Sequence, residues 1–232
     1  MSIIHKVSNY VYPCYKDMID YLLIERKKDT LKNLKTEINL NIILNCTCYI
    51  EGFLEKKTKS IVTYYEKLLQ KIKIDETEIR RNKNIFLKRI FSDINNRISQ
   101  CTGIDSYDNI YKLLLEKSFK EDKNISSLLE GIKILFQLRN VIAHGREINA
   151  YEIIRGYGLQ EIEYYKGEEF FFGGYRNAET FLLKKGLIKK KFIDTGNGNI
   201  LFSNKVTNYF INITNNFITA IDKFTDNNLK LL

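Results

Sequence analysis

A chain of 232 residues is long enough to bury a proper core as one domain with an appended module. Its formal net charge of +9 favours a polyanionic partner, with a solvated lysine-rich surface as the plain alternative. Four cysteines without a CxxC pair and only two histidines exclude the common zinc ligand sets, and no GxxxxGK[ST], GxGxxG, GxSxG or HExxH segment occurs.

In chain order, residues 1–13 read as a short lead ending at Pro13, the one proline. The first helix is expected over Cys14–Lys28, carrying Met18, Ile19, Leu22 and Leu23. Nothing at the N-terminus has the basic start and apolar core of a signal peptide, so a reducing, cytoplasmic location is expected. Leu31 to Lys73 is a long helical region, one bent helix or two. Its expected core stripe is Leu34, Ile38, Ile42, Cys46, Tyr49, Ile50 and Phe53, then Ile61, Tyr64, Leu68 and Ile72. Cys46 and Cys48 read as free thiols on an apolar helix. The most apolar window, 38–54, is broken by Asn39, Asn41, Asn45 and Glu51, which excludes a membrane span. Glu51 must face solvent or a cation, because an unpaired buried carboxylate is costly.

Residues 77–100 form the next expected helix, with Ile79, Phe86, Ile90, Ile94 and Ile98 inward and Arg80, Arg81, Lys83, Lys88 and Arg89 outward. Solvation of that basic face is the plain reading and RNA contact the other. Thr102–Ser106 is a turn, and Asp105 and Asp108 read as capping residues. Tyr107–Phe119 is a short helix, followed by a charged loop, Lys120–Asn124. Ser127 and Glu130 then have capping-box spacing and open the next helix. Leu128, Leu129, Ile132, Leu135, Leu138 and Ile142 build its apolar face. Gly145 is its stop.

The texture then changes. Nine of the twelve glycines lie between 145 and 198, among many aromatic residues, which sets 149–202 apart as an inserted subdomain. Within it, Asn177–Lys185 is a short helix stopped by Gly186, and 187–202 reads as a β-hairpin. Helix, glycine and basic hairpin are loosely like the wing of a winged helix, so a nucleic-acid-binding regulator working through this segment is one possible reading. Ser203–Phe224 closes the fold as an amphipathic helix with Val206, Tyr209, Phe210, Ile213, Phe217, Ile221 and Phe224 on one face.

The polar residues at the end of the 127–145 helix carry the chemistry. Asn140 and His144 are four apart and share a helical face. Arg139 and His144 are five apart, roughly 140° around an ideal helix, and converge if the last turn loosens. An imidazole, with an ordinary pKa of about 6.5, can move protons at neutral pH. A guanidinium stays charged and can hold a phosphate bidentately.

The segment Arg139-Asn140-Val141-Ile142-Ala143-His144 resembles the Arg-x4-6-His motif of the HEPN superfamily, in its RNxxxH form. Those are helical-bundle proteins, many of them metal-independent RNases in toxin–antitoxin, abortive-infection and CRISPR systems. The placement of the motif near the end of an apolar helix is similar, and so is Glu51 in the upstream segment IEGFLE. The resemblance implies a mainly α fold, a HEPN-like helical bundle over 1–148 and 203–232, with the 149–202 segment a small α+β insertion before the last helix. It implies catalysis by Arg139, His144, Asn140 and Glu51, without cofactor or metal. It also implies RNA as substrate, a homodimer, an antitoxin or sensor protein as further partner, and no membrane. A toxin branch controlled by adenylylation has Tyr two residues after the His; here that residue is Arg146, which argues against such control. The rival implication is a non-catalytic HEPN-like module for dimerisation or RNA binding.

Overall fold

The computed structural model describes residues 3–28, 32–71, 77–144, 169–189 and 202–229. These residues form a mainly α fold. The helices are α1 (Ile3–Lys27), α2 (Lys32–Lys71), α3 (Thr77–Ser99), α4 (Gly103–Leu115), α5 (Lys123–His144), α6 (Glu169–Lys184) and α7 (Asn204–Leu229), with a 3-10 turn at Phe119–Glu121. No strand occurs among the described residues. Leu187, Ile188 and Lys189 are not extended, and the remainder of the expected hairpin, 190–201, lies outside the described residues.

Two compact units divide the chain: residues 1–49 with 127–217, and residues 50–126 with 218–232. In the first, Ile38, Ile42, Ile43 and Cys46 of α2 are buried, as are Ile132, Leu135 and Leu138 of α5, Phe181 and Leu182 of α6, and Val206, Phe210 and Ile213 of α7. Each fully buried Ile, Leu or Phe contributes about 1.5–3 kcal/mol from transfer out of water, so this apolar set fixes where α5 lies. Gly131 marks one close approach. A Cβ there would stand 2.2 Å from Ile213 Cδ1 and 3.1 Å from the Tyr209 hydroxyl, so these two α7 side chains pack directly against the α5 backbone at this point.

In the second unit, Tyr111 is fully buried, with its ring edge-on to Phe119 at 5.0 Å between centroids. Its hydroxyl shares a hydrogen bond with Thr225 at 3.1 Å. Burial pushes the phenol well above its ordinary pKa. Lys57 of α2 reaches Asp226 at 2.9 Å and also pairs with Asp222. Burial works against the Lys57 charge, but the two carboxylates outweigh it and the ammonium titrates above its usual value. Asp108 is 1 % exposed and is no simple turn cap. It accepts from Ser118 Oγ at 2.9 Å on both oxygens and from the Lys120 amide at 3.3 Å, with Lys112 Nζ 3.3 Å away. It therefore holds the segment after α4 against the helix, across Glu116, whose φ of 54° makes the turn.

Several boundaries differ from the sequence reading. The first helix begins at Ile3 and runs through Pro13, forgoing one backbone bond at a cost of about 3 kcal/mol. Within the long helical region, Lys32–Lys71 is one helix, not two. Leu34, Tyr64 and Leu68 of its expected stripe are exposed, and Ile72 lies outside the described residues. On α3 the inward aromatic is Phe91, while Phe86 is 63 % exposed. Ile98 is buried and Ile90 and Ile94 half-buried, as expected; only Phe86 departs from the expected stripe, about 140° around the helix from Phe91. The side chains of Ile79, Arg80, Arg81 and Lys83 lie outside the described residues, whereas Lys88 and Arg89 are exposed as expected. Tyr107 is not the start of α4, which opens at Gly103. No described helix is long and apolar enough to cross a membrane.

Candidate functional site

α5 starts four residues earlier than its capping-box spacing indicates. Asp122 is the N-cap: its Oδ1 accepts from the amides of Asn124 at 2.8 Å and Ile125 at 3.2 Å. A carboxylate satisfying two orphan amides at the positive end of a helix is a strong cap, and it leaves Ser127 in the second turn. From there the apolar face runs as the periodicity requires. Ile132, Leu135 and Leu138 are buried; Leu128, Leu129 and Ile142 are half-buried. The helix closes on His144.

The last turns present the polar groups. Arg139 is half-buried and Asn140 exposed. Arg139 Nη1 donates to Asn140 Oδ1 at 3.1 Å. Neighbouring residues project about 100° apart, so this bond turns the guanidinium and the amide toward each other across the helix surface. Among the described residues the Arg139 guanidinium has no other hydrogen-bond partner, and the Asn140 amide nitrogen donates to none. A cation flanked by neutral donors is a receptor for an oxyanion such as a phosphate. His144 follows Asn140 by one turn of backbone and is the last residue of α5. The side chain of His144 lies outside the described residues, as do Gly145 and Arg146.

Glu51 sits on α2 in the second unit, half-buried. Burial raises the Tyr107 phenol, and the carboxylates of Glu55 and Glu51 push it the same way. Among the four residues read from the sequence, the structure joins Arg139 to Asn140, sets His144 on their helix, and places Glu51 on α2 in the second unit.

One residue of this helix escaped the sequence reading. Gln137 lies three residues before Asn140 and seven before His144, on their face of α5. Its Oε1 is buried and has no hydrogen-bond partner among the described residues. The signal was present: an amide in the run Ile-Leu-Phe-Gln-Leu interrupts an apolar face one turn before the motif. An unpaired buried acceptor costs about 1–3 kcal/mol, a strain that functional sites tolerate more often than cores do.

Among the described residues no group of His, Cys, Asp and Glu is arranged to hold a metal ion. Comparisons with protein-family profiles, with curated proteins and with solved structures give no match to this chain.

Proposed function

We propose that the chain is a HEPN-type endoribonuclease that cleaves RNA by attack of the 2′-OH on the adjacent phosphate, without a metal. One observation carries the reading: Arg139 and Asn140 are hydrogen-bonded to each other in the last turns of the apolar helix that ends on His144. In this reading the guanidinium takes the non-bridging phosphate oxygens and offsets charge as the phosphorane forms. Asn140 fixes the direction of that guanidinium. His144 moves protons, taking one from the 2′-OH or giving one to the leaving 5′-oxygen. One imidazole cannot serve at once as base and acid, so the reaction calls for a second copy of the chain whose own His144 completes the site. Glu51 would orient a cation of the motif. The net charge of +9 supports an RNA substrate, and a cytoplasmic nuclease of this kind calls for a neutralising or sensing partner.

The experiment is cleavage of single-stranded RNA by the purified chain in EDTA. The expected products carry a 2′,3′-cyclic phosphate or the 3′-phosphate derived from it, and 2′-deoxy substrates resist. His144→Ala and Arg139→Ala each abolish cleavage while helix content stays at the wild-type level, since polar residues at a helix tip contribute at most about 1–2 kcal/mol to the fold. Cleavage of DNA, or dependence on Mg²⁺, contradicts the proposal.

A further inference from the structure

A second polar cluster in the first unit has no counterpart in the motif. Arg26, near the end of α1, donates from Nη1 to Asn39 Oδ1 at 2.9 Å and from Nη2 to Asn208 Oδ1 at 2.6 Å. Asn39 is 2 % exposed, and its Nδ2 is itself committed, to the Phe202 carbonyl at 2.7 Å and to Asn204 Oδ1 at 2.9 Å. The chain Asn204–Asn39–Arg26–Asn208 therefore fixes the plane of the guanidinium against the start of α7.

Every partner in this cluster is neutral. No carboxylate of the described residues pairs with Arg26, and its neighbour Glu25 is taken by Lys28 Nζ at 2.5 Å. Burial pulls the Arg26 pKa below the ordinary arginine value. A half-buried guanidinium is normally answered by a carboxylate, because desolvated charge is expensive without a counter-ion. Here two amides hold the group rigidly and supply no charge. Of its five N–H donors, two have partners among the described residues and three do not. Nearby stand exposed Asn204 and Lys205 in the first turn of α7, the positive end of a 26-residue helix.

We propose that Arg26, held open by Asn39 and Asn208, binds a phosphate group. A planar fork with positive charge and no carboxylate partner among the described residues matches the oxygens of a phosphate, whether free or carried on a nucleic-acid backbone. The site is separate in the chain from Arg139 and does not require cleavage.

The test supplies a counter-ion from within. Asn208→Asp places a carboxylate where Arg26 Nη2 already donates. In thermal unfolding of the full chain, inorganic phosphate is expected to raise the wild-type Tm above that in chloride at equal ionic strength, by mass action. The Asn208→Asp chain is expected to start from a higher Tm and to lose the phosphate-dependent rise. A second arm measures binding of a single-stranded 2′-deoxy oligonucleotide, which the proposed ribonuclease reaction cannot consume. There Asn208→Asp should weaken binding by roughly tenfold or more if the phosphate belongs to a backbone. A phosphate-dependent rise with unchanged oligonucleotide binding assigns free phosphate. A wild-type Tm indifferent to phosphate, or an equal rise in the variant, overturns the site and leaves the ribonuclease reading untouched.

Discussion

At the scale of single residues, the chemistry of burial is the clearest signal. Cys46 is fully buried on α2, and burial pushes its thiol up to about 12. In the unfolded chain it ionises near its ordinary value of 9.0. The folded state therefore holds the proton that the unfolded state loses. Its contribution to stability is complete below pH 9 and declines as pH climbs toward 12, by about 1.4 kcal/mol per pH unit while only the unfolded thiol is ionised. Tyr107 and Tyr111 act in the same direction at higher pH. The urea midpoint should thus fall between pH 8 and 10.5, and Cys46→Val should remove part of that fall. Exposed Cys14 should react with a thiol reagent at pH 8 long before Cys46 does. The burial of Cys46 was legible from helical spacing; the burial of Asp108 was not. Its partners, Ser118 and the Lys120 amide, come from a turn ten and twelve residues on, and no local pattern announces such an encounter.

At the scale of elements, existence was read more securely than phase. All seven helices have a counterpart in the apolar periodicity, and the stop at Gly186 was plain. Its φ is 65°, with Leu187 donating to the Leu182 carbonyl and Gly186 to the Leu183 carbonyl, each at 2.9 Å, a Schellman ending. The start of α5 was misplaced because Ser127 and Glu130 imitate a capping box while Asp122, a stronger acceptor, lies one turn earlier. Pro13 misled for the opposite reason: a strong breaker is still carried inside a helix. The cap can be tested. Asp122→Ala should cost about 1 kcal/mol in chemical denaturation, and Ser127→Ala only a few tenths. Equal losses would return the start of the helix to Ser127.

At the scale of the whole molecule, charge and copy number govern the expected behaviour. Mixing the Arg139→Ala and His144→Ala chains tests the shared-site proposal directly. If each cleft takes a guanidinium from one copy and an imidazole from the other, the mixture should regain part of the activity that both chains lack alone. Full activity of a wild-type chain that is monomeric at micromolar concentration would count against it. Of the candidate site, the sequence disclosed the order and spacing of Arg139, Asn140 and His144. It did not disclose that Arg139 would bond its immediate neighbour, because that depends on side-chain rotamers rather than on period.

The close approach at Gly131 has a rotational consequence. With no side chain to act as a spacer, α5 is clamped to Ile213 and Tyr209 at that point, and the helix beyond it behaves as a dial. Each inserted residue turns the dial by about 100° and advances it about 1.5 Å. One alanine inserted between Phe136 and Gln137 would swing Arg139, Asn140 and His144 to another heading and should silence cleavage. Four alanines would bring them back to within about 40° of the first heading, some 6 Å farther along, and should restore a measurable fraction. Activity that falls and then returns with insert length would show that the motif is aimed by its angle from the Gly131 clamp.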